Sequence, residues 1–473
     1  MRNHVLIAFS LSLILLGCMV GPNYRRPAVE TPPSWRFEEK EAREVANTAW
    51  WEQFDDPVLN ELIQVALKEN KDVKIAAARV GEFIGRYVTA RAPLFPQVGG
   101  GASAGRSRDT GKGPSPLTSA TENPANNFQV FLNANWEIDL WGKLRRATEA
   151  ARADLVSTEE GRGAIILTLV TSVASAYVNL RDLDMQLEIA RRTAKSREET
   201  YNLFRIRFRG GVISDLELNQ VKSEYEQALS TIPFLEKTVS QQENGLSVLL
   251  GQNPGPIPRG KTIDGLILPA VPAGLPSDLL ANRPDIRQAE QELIAANARI
   301  GVARSFYFPT ITLTGLFGFE STSLSSLFSG PARVWNFAAP LTAPIFTGGA
   351  IRGQVKSAEA AQQQSLFRYQ QSIQTAFREV EDALIDQKRT REQLTIQALQ
   401  VGSLRAYARF ARLRFDNGYT SYIEVLDAER SLFDAELSEA QTKGVLFQAL
   451  VNLYKAMGGG WVVQADRTAT GAR

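Results

Sequence analysis

The chain has 473 residues, 44% hydrophobic and 22% charged, with a formal net charge of +2. That length can bury several domains' worth of core, and so even a charge balance gives no reason to expect nucleic acid or a strongly acidic partner. One Cys and one His, both near the N-terminus, leave the body of the chain without disulfides, His general bases, Cys–His pairs or zinc sites with N/S ligands.

Residues 1–17 read as a secretory signal. Arg2 and His4 precede the apolar run from Val5 to Leu16, which is shorter than the roughly 20 residues a membrane span needs. Leu15-Leu16-Gly17-Cys18 resembles a bacterial lipobox. Processing is expected to leave Cys18 as the N-terminus, with diacylglyceryl on its thiol and an acyl chain on its amine, enough for stable anchoring. The competing reading of Cys18 is a buried or incidental thiol. Met19 rather than Asp after the Cys favours the outer membrane. Losing His4 with the signal leaves a mature chain without His. With no G-x-S-x-G, no phosphate-binding Gly loop with Lys and no dinucleotide fingerprint in the sequence, the chain is not expected to be an enzyme. Residues 18–54 then form a lipidated arm, extended and Pro-rich from Gly21-Pro22-Asn23 onward, expected to act as a tether.

A periodic helix is expected over about Asp56–Glu69 and a second through Arg91. At Phe95-Pro96 the period changes from about 3.6 to 2 with no polar loop between. A β-hairpin follows at about 97–137. In its return strand Phe128, Val130, Leu132, Ala134 and Trp136 alternate with Asn127, Gln129, Asn133, Asn135 and Glu137, and Phe131 is the one exception. In a soluble sheet the apolar face would cover a core; in an outer-membrane barrel it would face lipid while the amides line a wet lumen. The polar loop over 109–126 suits the external side of a barrel. From Lys143 to Arg209 the pattern is helical and free of proline. Within it, Ala164–Leu180 is apolar enough to suggest a membrane helix.

The chain is duplicated. An offset of 213 places Asp285 on Asp72, Arg304 on Arg91 and Phe308-Pro309 on Phe95-Pro96. An offset of 207 then places Arg414-Phe415 on Arg207-Phe208, Gly418 on Gly211, Ser421 on Ser214 and Gly458 on Gly251. The second hairpin is therefore six residues shorter, an indel that a loop tolerates. The counterpart of Ala164–Leu180, QSIQTAFREVEDALIDQ, is far too charged to span lipid, so the apolar stretch is read as a buried helix face. The first repeat occupies 55–251, with a helical hairpin at about 143–250. A Pro-rich crossover fills 252–282. The second repeat occupies 283–458, with a β-hairpin at about 310–346 and a helical hairpin at about 350–457, and a tail covers 459–473. Pro340 and Pro344 cannot donate to a ladder and should sit at bends or the strand end. Four strands per chain cannot close a barrel, since the smallest outer-membrane barrels use eight. If these strands lie in lipid, several copies must share one barrel. At the helical tips, Gly211 and Asn417-Gly418 fit left-handed stops. Ser214 with Glu217, and Ser421 with Glu424, fit capping boxes.

The lipobox with GPNYRRP, then EIDLWGKLRR, GLPSDLLANRPDIRQAE, ANARIGVARSFYFPTITLTG, APIFTGGAIRG and YIEVLDAERSLFDAEL together resemble the outer-membrane efflux factor family. More narrowly, they resemble the lipoproteins that form the exit ducts of tripartite resistance-nodulation-division efflux pumps for drugs and metals. The resemblance implies a mixed α and β fold of duplicated α-β-β-α units. It also implies a homotrimer whose strands share a twelve-stranded transmembrane β-barrel and whose helical hairpins form a periplasmic α-barrel. Implied partners are a periplasmic adaptor, a proton-driven inner-membrane pump and outer-membrane lipid. No cofactor is implied beyond the covalent lipid on Cys18, and Met19, Met185 and Met457 form no metal-binding cluster. Acidic side chains at the family's closed end map onto Glu424 and Asp427, with Glu217 at the repeat-related position. For Glu217 and Glu424 the alternative is simple capping with dipole compensation. For Asp427, whose repeat partner is Gln220, it is a local pair with Arg430 at i+3. Alternative functions are a type I secretion duct and a lipid-anchored coiled-coil structural protein.

Overall fold

Start and stop chemistry sets the helices. The computed structural model describes residues 19–36, 49–110, 112, 122–269, 279–458, 461, 462 and 465; the expected signal, the expected lipid site at Cys18 and most of the C-terminal tail lie outside them. Helix α1 (Pro57–Glu69) starts on Asp56, whose carboxylate accepts from the Val58 N–H, with proline at the first helical position where no N–H is missed. Helix α2 spans Lys71–Arg91, and strands β1 (Gln97–Ser107) and β2 (Ala125–Ile138) follow. Helices α3 (Lys143–Arg209) and α4 (Asp215–Leu249) form the first helical hairpin. After the crossover come α5 (Pro284–Ser305), β3 (Thr310–Ser321), β4 (Arg333–Ala338) and the two-residue β5 (Leu341–Thr342). Helices α6 (Ala350–Asp416) and α7 (Tyr422–Met457) complete the order. The duplication is exact to the residue in α3 and α6, each 67 residues long and 207 apart. β1 and β3 start 213 apart. Seventeen residues separate β1 from β2 and eleven separate β3 from β4, so the six-residue indel lies wholly in the connecting loop.

The chain divides into two compact units. One comprises the segment ending at Ala28, Val80–Thr158 and Ala289–Tyr369. It holds an antiparallel sheet in the order β1-β2-β3-β4, with β5 also on β3. Val130, Leu132, Ala134 and Trp136 stand opposite Phe319, Phe317, Gly315 and Leu313, so these side chains share one face. Gln129, Asn133, Asn135 and Glu137 stand opposite Glu320, Leu316, Thr314 and Thr312 on the other. The last strand breaks between Ala338 and Leu341, where Pro340 has no N–H to give, and Pro344 lies just past β5.

In this unit the N-terminal arm is not a loose tether. Its Val20 N–H donates to the Trp141 carbonyl, Asn297 donates to the Pro22 carbonyl, and Arg146 donates to Asn23 at 2.7 Å. Tyr24 and Arg26 both bind Glu290. Two close approaches need glycine: a Cβ at Gly301 would stand 2.7 Å from the Val20 carbonyl oxygen, and one at Gly142 would stand 2.7 Å from Met19 Cγ. The arm is extended, as its prolines require, and pinned by distant residues.

The other unit comprises Val29–Arg79, Glu159–Gln288 and the chain from Gln370 on. The apolar run of α3, long and apolar enough to cross a membrane, is packed in this unit's core. Ile166, Val170, Val173, Ala174, Tyr177, Val178 and Leu180 are all inaccessible to solvent. Each fully buried large aliphatic side chain stabilises the fold by about 1.5–3 kcal/mol. Buried polar nodes tie the helices together. Asp56 accepts from Tyr177 at 2.8 Å and from the Lys261 N–H, which fastens the crossover to α3. Arg283 binds Asp285, Glu379 and the Ala456 carbonyl. Trp50 stacks on Tyr454 at 4.7 Å and meets Trp461 edge-on.

Both helical hairpins turn by the same main-chain device. Gly211 and Gly418 adopt φ of 70° and 77°. Val212 N–H reaches back to the Arg207 carbonyl and Tyr419 N–H to that of Arg414, satisfying carbonyls the helix leaves open. The next helices start differently. Ser214 and Glu217 form the expected capping box. Ser421 makes no side-chain cap: the Glu424 N–H donates to the Ser421 carbonyl, and the Glu424 carboxylate, which would return to the Ser421 N–H, is drawn to Arg414 at 2.8 Å and to Thr420. The capping box expected in the second copy is therefore absent. Ser214→Ala should destabilise the first tip by about 1 kcal/mol, seen as faster amide exchange in the first turn of α4, whereas Ser421→Ala should leave the first turn of α7 unchanged.

Asp182 on α3 supplies a pH-sensitive contact. It is buried against Gly444 of α7, where an added Cβ would stand 2.9 Å from its carboxyl carbon, and Oδ1 has no hydrogen-bond partner. Burial pushes its pKa up from the ordinary aspartate range to about 6, opposed by a hydrogen bond from Gln186. The fold therefore favours the neutral acid: stability is highest below the unfolded pKa and falls as pH rises through about 6, by up to about 3 kcal/mol. Asp182→Asn should raise the melting temperature above pH 6, and the gain should disappear as pH is lowered towards about 4.

Candidate functional site

Two surfaces carry features that a closed soluble fold does not need. The first is the sheet. Its apolar face is built from Leu132, Trp136, Leu313, Phe317, Trp335 and Phe337, with Trp335 65% and Phe337 78% exposed. β1 and β4 end the sheet, and among the described residues no strand pairs with their outer edges. The opposite face carries Asn127 and Gln129, which both donate to Glu320. Where helix hands over to strand, two indoles mark the boundary. Trp136 Nε1 donates to the Leu94 carbonyl and Trp141 Nε1 to that of Pro309, and the Trp141 ring stacks on Phe308 at 4.7 Å. Tryptophan, apolar in body with one N–H to satisfy, suits the rim of an apolar layer.

The second surface is the helical tips. Phe204, Val221, Ala411, Tyr422, Val425, Leu426 and Ala428 form their core. The three expected acidic residues are treated differently there. Glu217 is occupied by the Ser214 N–H and hydroxyl. Glu424 bridges to Arg414 of the preceding helix. Asp427 is exposed and accepts from the Tyr407 hydroxyl at 3.4 Å. The local pair expected between Asp427 and Arg430 does not form, because Arg430 turns to Glu224 instead, with Nε at 3.0 Å. The structure thus places Glu217 in one tip and Glu424 and Asp427 in the other, without joining them into one cluster.

Sequence reasoning missed the ionic bridges above the tips. Glu224 of α4, 6% exposed, is held by Arg430 of α7 and by Arg197 of α3. Glu436 of α7 is held by Arg192 of α3 and Arg405 of α6. A signal existed: Glu224 lies between buried Val221 and Ala228, and Glu436 between buried Phe433 and Ala440, so each acid interrupts an apolar helix stripe. Among the described residues no group of three or more His, Cys, Asp or Glu side chains could hold a metal ion.

Comparison with known proteins agrees with this geometry. The sequence model of the family described as outer membrane efflux protein matches residues 62–252 and 275–459. The chain is 36% identical over 462 residues to the cation efflux system protein CusC of Escherichia coli O6:H1, covering 96% of this chain and 98% of that protein. It is 35% identical to the toluene efflux pump outer membrane protein TtgI of Pseudomonas putida, covering 98% and 100%. Among solved structures, the Campylobacter jejuni CmeC outer membrane channel superposes with a TM-score of 0.89 at 28% identity, covering 94% of this chain and 95% of that one. The open state of the Neisseria gonorrhoeae MtrE outer membrane channel gives 0.85 at 32% identity, covering 94% and 99%. With its duplicated helical hairpins, open apolar-faced sheet and matches over nearly its whole length, the chain belongs to the outer membrane efflux protein family.

Proposed function

We propose that this protein is the outer-membrane exit duct of a tripartite efflux system. Three copies join their sheets edge to edge into one closed twelve-stranded barrel. The helical hairpins continue as a periplasmic tube, and the lipid on Cys18 anchors the chain to the membrane. A periplasmic adaptor and an inner-membrane pump deliver small toxic compounds to the tips, and cargo then leaves by diffusion, with no chemistry along the way. The observation that carries this reading is the open sheet, with one face apolar and exposed and, among the described residues, both end strands unpaired on their outer edges. In hydrocarbon every strand edge must be paired, and one chain cannot pair its own. Relatives named for cations and for toluene suit a duct in which, among the described residues, no group of three or more His, Cys, Asp or Glu side chains could hold a metal ion.

Asp427 is the acid best placed to act as a gate. Unlike Glu217 and Glu424 it has no cap or ion pair among the described contacts, only the long hydrogen bond from Tyr407. Unheated samples should run as SDS-resistant trimers that collapse to monomers on boiling, and purified protein should conduct ions across planar bilayers. A wash-soluble monomer without conductance would overturn the duct. Asp427→Ala should raise conductance or weaken block by cations, and unchanged values in both would remove it from the gate.

A further inference from the structure

Phe131 is the one aromatic side chain on the amide face of β2, between Gln129 and Asn133. Directly across from it stand Gly101 of β1 and Gly318 of β3, and Val334 of β4 stands beyond Gly318. The ring's free end lies over Gly101. A Cβ there would meet Cζ at 2.8 Å, Cε2 at 3.2 Å and Cε1 at 3.3 Å. On the other side a Cβ at Gly318 would meet Cα and Cβ of Phe131 at 2.8 Å. Gly105, on the same strand and the same face as Gly101, has nothing within 4 Å. Glycine inside a strand weakens it, so Gly101 is a cost to β1 unless its missing side chain serves a purpose.

We propose that Gly101 is a socket that holds the Phe131 ring flat against the wall and thereby keeps the bore of the duct open at this level. The inference rests on the duct reading, in which the amide face lines the lumen and the ring recurs once per subunit. Aromatic surface on a wet face gains by lying against other apolar surface rather than standing in water. The two glycines differ in what they restrain. At Gly318 an added side chain runs into main chain, including the Val130 carbonyl, and would break the ladder. At Gly101 the three nearest atoms it meets all belong to the far end of the ring, so substitution there ejects the ring and spares the strand.

The test compares wild type, Gly101→Val, Phe131→Ala and the double variant, each confirmed as a heat-modifiable trimer, by single-channel conductance in planar bilayers. A 4-fluorophenylalanine at position 131 reports the ring directly through its solvent isotope shift. Gly101→Val should lower conductance beyond the spread of wild-type channels and increase the isotope shift. The double variant should conduct at least as well as Phe131→Ala. If Gly101→Val fails to assemble, Gly101→Ala replaces it, since its methyl group collides with the same ring. An unmoved fluorine signal overturns the socket. A moved signal with unchanged conductance, or a double variant as poor as Gly101→Val, overturns the ring's part in setting the bore. A wild-type protein that does not conduct sinks the duct reading itself, whereas a conducting wild type with an indifferent Gly101→Val sinks only the socket.

Discussion

A strand edge cannot be left open in hydrocarbon, and the rest of the molecule is arranged under that constraint. Each unpaired backbone group there costs several kcal/mol, yet the chain presents two end strands, β1 and β4, on a sheet whose apolar face is left exposed by the described residues. Such a sheet is half of an interface. The outlying β5, reached after Pro340 breaks the last strand, keeps β3 paired at its first residues, Thr310 and Ile311. The helical hairpins carry no such exposed ladders, because every interior main-chain group of α3 or α6 is satisfied within its own helix.

What the helices need is a fixed relation to their neighbours, and polar nodes inside the apolar packing provide it. Asp56 joins the start of α1, the middle of α3 and the crossover through three donors. Arg283 joins the start of α5 to α6 and to the end of α7. A buried ion pair adds little net stability, but losing one partner strands a charge at a cost of about 3–5 kcal/mol. Glu224, held between Arg197 and Arg430, therefore discriminates against any register of α4 on α3 and α7 other than this one. Asp182 is the exception among these groups, buried against Gly444 with the Gln186 amide for company and, among the described residues, no cation paired with it.

Much of this was legible in the sequence because the signals are local. Proline-free runs, left-handed glycines at 211 and 418, and the shift of period at Phe95-Pro96 and Phe308-Pro309 fix where helices and strands begin and end. Repetition removed the one serious ambiguity, the apolar stretch of α3, since a charged copy of the same helix cannot cross lipid. What stayed hidden depends on residues remote in the chain. The seat of the N-terminal arm requires Gly142 and Gly301 to come close to Met19 and Val20, an approach no local pattern announces. Ser421 and Glu424 have the spacing of a capping box, but Arg414 and Thr420 compete for the carboxylate and win. Arg430 is three residues from Asp427, yet its partner lies 206 residues away.

The two tips share one turn and differ in what restrains the carboxylate beside it. Glu217 is tied by hydrogen bonds to the main chain and hydroxyl of Ser214, contacts that do not depend on a counter-charge. Glu424 is tied to the largely exposed guanidinium of Arg414. Exposed charge pairs are weakened by dissolved ions, over a Debye length of about 8 Å at physiological ionic strength. Rising salt therefore weakens the Arg414 link of Glu424 and leaves its Thr420 hydrogen bond and the Ser214 ties of Glu217 in place. Of the two repeat-related carboxylates, one has an ionic contact that the medium can screen and the other has none among the described contacts.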